Sequence, residues 1–270
     1  MRAFIHHLAY DFKTGIRDRS KLLMNYLFPL VFFALIGGLM SAVNPGFKDL
    51  MVPAMALFAY MCSALLSLPA TLVNAREGGV FRSYRINGVP RGSILSIPVI
   101  AAVVHMAAIT AIIAIAGVCL YDGAAPAHIG GFVAAALLSY AAYSGIGVLV
   151  GVAAGNTTVS ILVAQLVYVP SIMLGGLMVP LSMLPEALQR IALLLPAAHG
   201  MRVFQAIGMD RAVQVPWLSV GVLAASTALS FLLAAYIFEW DSRASQPSRK
   251  AYAALLGAAP YAVAALIGSV

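Results

Sequence analysis

Six stretches of the chain, at about residues 22–42, 51–74, 94–119, 131–154, 159–180 and 217–238, run without a single Asp, Glu, Lys or Arg. A helix needs about 20 predominantly apolar residues to cross the roughly 30 Å hydrocarbon layer of a bilayer. Inside that layer every backbone N–H and C=O must be satisfied within the structure, so such runs read as helices. No alternation of the barrel-strand kind is present. The soluble alternative fails on composition: 62% of the residues are hydrophobic and only 9% charged, where a soluble domain carries about 25% charged residues. The run at 22–42 is also too long for a signal peptide, whose apolar region covers about 7–15 residues. The expected fold is therefore all-α and polytopic, with six transmembrane helices across residues 22–240.

The segments outside these runs differ in kind. Over residues 1–21, Ile5, Leu8, Phe12 and Ile16 recur at helical spacing, while Lys13, Thr14, Arg17 and Asp18 fall on the other side. That pattern predicts an amphipathic helix in the membrane interface. Between the second and third runs lies REGGVFRSYRINGVPRGS, residues 76–93. Gly88 and Pro90 would end a short helix between Glu77 and Asn87. A compact docking element and a solvated connector with topogenic arginines both account for it. Residues 181–215 are punctuated by Pro185 and Pro196 and carry scattered charge, so half-helices at the outer face are expected there rather than a full span. After a basic linker, residues 251–270 are apolar but Ala-rich, with Gly257 and Pro260; a seventh span and a membrane-associated tail are both open. Of the sixteen Lys and Arg, only Lys48, Arg190, Arg202 and Arg211 fall on the outer side if the N-terminus is inside. The positive-inside rule therefore predicts a cytoplasmic N-terminus.

The chemistry-bearing residues are sparse. Intramembrane charges usually mark ion or proton pathways, and the six runs contain none. His105 is the one imidazole within them, and it reads as a hydrogen-bonded packing residue rather than a proton relay. No HExxH or CxxC spacing suggests a metal, and no GxSxG elbow a hydrolase. Cys62 and Cys119 read as small core residues. A Walker A loop needs Gly-Lys before Ser or Thr, yet none of Lys13, Lys21, Lys48 and Lys250 follows a glycine. No bound cofactor is expected on this chain. Its net charge of +7 sits in short blocks between apolar runs, which argues for membrane orientation rather than nucleic-acid binding. Polar residues that could line a pathway are Asn25, Ser63, Ser67, Gln165 and Tyr168, each of which could equally bridge helices.

Two stretches resemble the permease subunits of type-2 ABC exporters, which move polysaccharides, lipids, drugs and antibiotics. One is REGGVFRSYRINGVPRGSIL; the other is GGLMVPLSMLPEALQRIALLLPAAHGMRVFQAI, residues 175–207. The resemblance covers about residues 1–240. It implies that the first stretch holds a coupling helix contacting a cytoplasmic ABC ATPase through Glu77, Arg82, Tyr84 and Arg85, and that the second forms short re-entrant helices at the outer face. It further implies ATP and Mg bound by the partner subunit, a second permease copy in a homo- or heterodimer, and a bacterial plasma or inner membrane. A pathway with few polar groups suits a hydrophobic or amphiphilic substrate: a drug, an antibiotic, a lipid or a lipid-linked glycan. An ion-gradient-driven transporter and a membrane scaffold are the competing readings. The apolar tail after residue 250 departs from the family's six-span plan.

Overall fold

A computed structural model describes residues 2–213, 216–240 and 249–267, and for residues 2–7, 45, 249 and 250 the backbone without the side chains. The linker at 241–248, with Arg243, lies outside the described residues, as do the side chains of Ile5 and of His6-His7.

Helix α1 (Arg2–Gly15) comes first, then α2 (Arg19–Val43) and α3 (Lys48–Glu77). A short α4 (Val80–Ile86) leads into α5 (Arg91–Tyr121), α6 (Ile129–Ala153) and α7 (Thr157–Leu174). Two further pieces, α8 (Glu186–Ala192) and α9 (Pro196–Gly208), are bent by 92° to one another, and α10 (Pro216–Ile237) follows. The chain closes with a 3₁₀ stretch, Arg249–Ala258, and α11 (Ala259–Ile267). The described residues contain no strand. Helices α2, α3, α5, α6, α7 and α10 are each long and apolar enough to cross a membrane. The molecule is a polytopic all-α membrane protein.

Several boundaries shift for identifiable reasons. The amphipathic helix stops at Gly15, because Asp18 caps a new helix by accepting from the backbone N–H of Ser20 (2.9 Å) and Lys21 (3.2 Å). Arg19–Leu22 thereby joins the first span. The fifth span ends at Leu174 rather than near 180: Gly175 closes it and Gly176 turns the chain through φ +84°, a conformation only glycine adopts without strain. Two π-helical turns, Leu23–Leu27 and Cys62–Ser67, each stand just before a proline, Pro29 and Pro69. A proline within a helix has no N–H for the carbonyl four residues back and its ring crowds that carbonyl. Widening the helix by one residue per turn relieves the clash.

Helix α3 is the hub. Every residue from Met51 to Leu65 is buried, which fits a helix that is hydrophobic on all sides. It is gripped by α6, whose Gly147 and Gly151 lie directly on its backbone: a Cβ at 147 would collide with the carbonyl oxygen of Ala64, and one at 151 would sit 3.0 Å from Cα of Pro69. Small residues four apart let helices approach closely where lipid supplies no hydrophobic drive. Helices α2 and α7, by contrast, leave leucines such as Leu35, Leu39, Leu162 and Leu166 exposed.

Residues 249–267 pack antiparallel along α10. Gly257 lies near Ser230, Tyr261 donates from its hydroxyl to Ser226 Oγ (2.8 Å), and Tyr261 and Ala264 cluster with Val222. At about 2.0 Å rise per residue in the 3₁₀ part and 1.5 Å in α11, the segment is about 33 Å long.

Candidate functional site

Two features stand out at one end of the bundle. The first is the α3–α4–α5 hairpin. At 1.5 Å per residue its two long arms each run about 45 Å, some 15 Å more than the hydrocarbon layer, and α4 is carried at the tip. Gly79 (φ +75°) and Gly88 (φ +70°) turn the chain on either side of it. Its buried side is Phe81, packed on Phe238 past the end of α10 with ring centroids 5.3 Å apart. Arg82, Arg85 and Ile86 are exposed on α4. Tyr84 is half-buried, and burial pushes its phenol pKa up, with Asp11 and Tyr10 of α1 adding to the shift.

Firm ties join this tip to the rest of the molecule. The buried Arg76 guanidinium donates to the carbonyls of Val152 (3.0 Å) and Ala154, the last ones of α6, where no intrahelical donor remains. Thr157, at the start of α7, donates to Asn74 Oδ1 (2.8 Å) and lies 3.5 Å from a carboxylate oxygen of Glu77. Force applied to α4 therefore reaches α6, α7 and α10 through packed or hydrogen-bonded contacts.

The second feature is a polar cavity beneath α1. The two π turns pack on each other here, and Asn25, Ser63 and Ser67 line the cavity together with Asp11, Lys21, His105 and Tyr140. Tyr26 OH and His105 Nδ1 share a hydrogen bond of 2.7 Å, and Phe12 stacks on the imidazole at 4.9 Å. Asn25 Oδ1 is buried without a hydrogen-bond partner among the described residues. An unpaired buried acceptor costs roughly 1–3 kcal/mol, so a donor from water or ligand is expected there. The volume, about 30 Å³, holds one or two waters. It is far below the 300–1,000 Å³ of a small-molecule site, so this is a water-sized polar cavity and not a cargo chamber.

A family model, ABC-2 type transporter, matches residues 2–209. The chain belongs to the ABC-2 type transporter family. No curated protein and no solved structure gives a match. The chain is thus a transmembrane subunit of an ABC transporter, and membrane subunits of the ABC-2 family work in general with an ABC ATPase partner. The ABC-2 match takes in α1 through α9 and ends before α10 and the C-terminal segment.

Within this ABC-2 subunit the expected pathway residues part company. Asn25, Ser63 and Ser67 meet at the polar cavity. Tyr168 is buried on α7, its hydroxyl 3.5 Å from Cys62 Sγ and its ring 6.2 Å from Phe58. Gln165 is half-buried and stays outside the cavity. Sequence reading missed Asp11, Lys21 and Tyr140, which only the fold brings to the wall. It also missed the glycine pair at 147 and 151, whose four-residue spacing was legible. Replacing Asn25 with Leu is expected to lower the thermal midpoint by a few degrees in detergent, since the donor held at its amide oxygen loses its acceptor. The same change is expected to lower transport severalfold.

Proposed function

We propose that this chain is the membrane half of an ATP-driven exporter that moves a hydrophobic or amphiphilic substrate out of the cytoplasm. Two permease copies, identical or related, pair in a bacterial plasma membrane, and two cytoplasmic ATPase subunits supply ATP and Mg binding. The α4 end faces the cytoplasm: it carries Arg76, Arg82, Arg85 and Arg91. Of the four basic residues assigned outside, Lys48, Arg190 and Arg211 are paired with Asp122, Glu186 and Asp49.

The observation that carries this reading is the mounting of α4. A seven-residue helix, bracketed by glycines and set on a projecting hairpin, exposes Arg82 and Arg85 while Phe81 and Arg76 root it in the bundle. Glu77, Arg82, Tyr84 and Arg85 are the proposed ATPase contacts. ATP binding closes the ATPase pair and pushes α4 and α1, and the Asn25–Ser63–Ser67 cavity opens as α2 and α3 move apart. The charge-free runs at the centre of the six spans carry no carboxylate to harvest a proton or sodium gradient, which favours the ATP-driven reading over the ion-driven one. In proteoliposomes, ATP-dependent efflux of an amphiphilic dye is expected only when this chain and its ATPase are reconstituted together. Gradient-driven movement by this chain alone would overturn the reading.

A further inference from the structure

A second cavity, of about 430 Å³, lies on the other side of α6 from α3 and is more than ten times the size of the polar one. Its walls are α6 with its C-cap, from Ile146 to Ala154, α7 from Val159 to Val167, and the C-terminal segment from Ala251 to Tyr261, joined by Leu194 after α8 and Pro196 at the start of α9. The lining is apolar apart from two tyrosines. Tyr261 spends its hydroxyl on Ser226, and Tyr252 is exposed beside Ala251. Val159, Leu194 and Leu255 are exposed at its edge, so the cavity is a trough open to the outside of the bundle.

The trough's dimensions select an occupant. From Ile146 to Ala154 is about 12 Å of α-helix, and Ala251 to Tyr261 about 18 Å of mixed helix. Half the hydrocarbon layer is about 15 Å, so the trough is one leaflet deep. Its Ala154 end lies toward α4. There the guanidinium of Arg76 reaches the Ala154 carbonyl, and α7 begins, directing the positive end of its dipole outward. The Glu77 carboxylate at this end lies beside the Thr157 hydroxyl. Arg76 spends its guanidinium on the Val152 and Ala154 carbonyls beside Glu77, and Asn156 caps α7, so the match is made by the apolar trough itself, one leaflet deep and open along its side, which fits a single acyl chain.

We propose that this trough binds one acyl chain of a phospholipid from the leaflet on the α4 side, and that residues 249–267 cross the membrane beside α10 to form its outer wall. The site does not depend on the transport reading, and its test needs no ATPase. Full-length protein in phosphatidylcholine and phosphatidylglycerol vesicles is labelled with a phospholipid carrying a diazirine on its acyl chain, and the adducts are mapped. Adducts are expected on α6, α7 and the segment after residue 250. Val163→Trp and Ala254→Phe, which fill the trough, are expected to cut labelling there at least fivefold and to reduce co-purified phospholipid seen by native mass spectrometry. Leu162→Trp, on the exposed side of α7, is expected to leave both unchanged. Equal labelling in wild type and both filling variants, or adducts confined to α2 and α5, would overturn the proposal. Gel-filtration elution reports whether the variants fold; if neither does, the wild-type adduct map decides alone.

Discussion

Reversing two charges together, Arg82→Glu with Arg85→Glu, is expected to cut recovery of the ATPase with this chain at least tenfold and to abolish ATP-dependent transport. Both side chains are exposed on α4, three residues apart and so on one face of the helix. The contacts that hold α4 in the bundle, Phe81 on Phe238 and Arg76 on the end of α6, are left in place. At a complementary interface, placing like charges together costs several kcal/mol, and each 1.4 kcal/mol is tenfold in affinity. The double Lys variant keeps the charge and is expected to retain most of the binding. Pull-down from membranes and ATPase stimulation in vesicles read the two effects separately. Unchanged recovery in the double Glu variant would return α4 to the status of a solvated connector.

Gly147→Ala is expected to destabilise the bundle more than any surface change. The added methyl would strike the Ala64 carbonyl, which is backbone and cannot rotate away. Overpacking typically costs about 1–3 kcal/mol, and a clash with buried backbone belongs at the top of that range. A loss of about 3 kcal/mol lowers the midpoint by roughly 6–12 °C for a chain of this size. The matched control is Gly221→Ala in α10, where a Cβ meets nothing within 4 Å. There helix propensity alone acts, and Ala is favoured by up to about 1 kcal/mol. Similar midpoints for the two variants would mean that α3 and α6 are not held by close backbone packing.

Reading the residues in order captured the spans because each is a local property: about 20 uncharged residues satisfy their own backbone whatever surrounds them. The first span was placed at 22–42 against Arg19–Val43, and the second at 51–74 against Lys48–Glu77. The residual errors sit at ends, where Asp18 and Gly176 act through backbone geometry that hydropathy does not register. The half-helices of 181–215 were legible from Pro185, Pro196 and scattered charge, but their 92° bend was not. Of the five pathway residues proposed from polarity, three converge because two prolines open π turns in neighbouring helices. A polar side chain in a span cannot announce which helix it will face.

Composition and order along the chain determined that this protein is an all-helical membrane protein, since charge-free runs long enough to cross a bilayer are visible without any folding. Tertiary structure alone decided that Asn25, Ser63 and Ser67 share a small polar cavity, that Arg76 ties α3 to the end of α6, and that the C-terminal segment walls an apolar trough. These depend on how helices distant in sequence cross and on which face each turns inward, and close packing of small residues sets both.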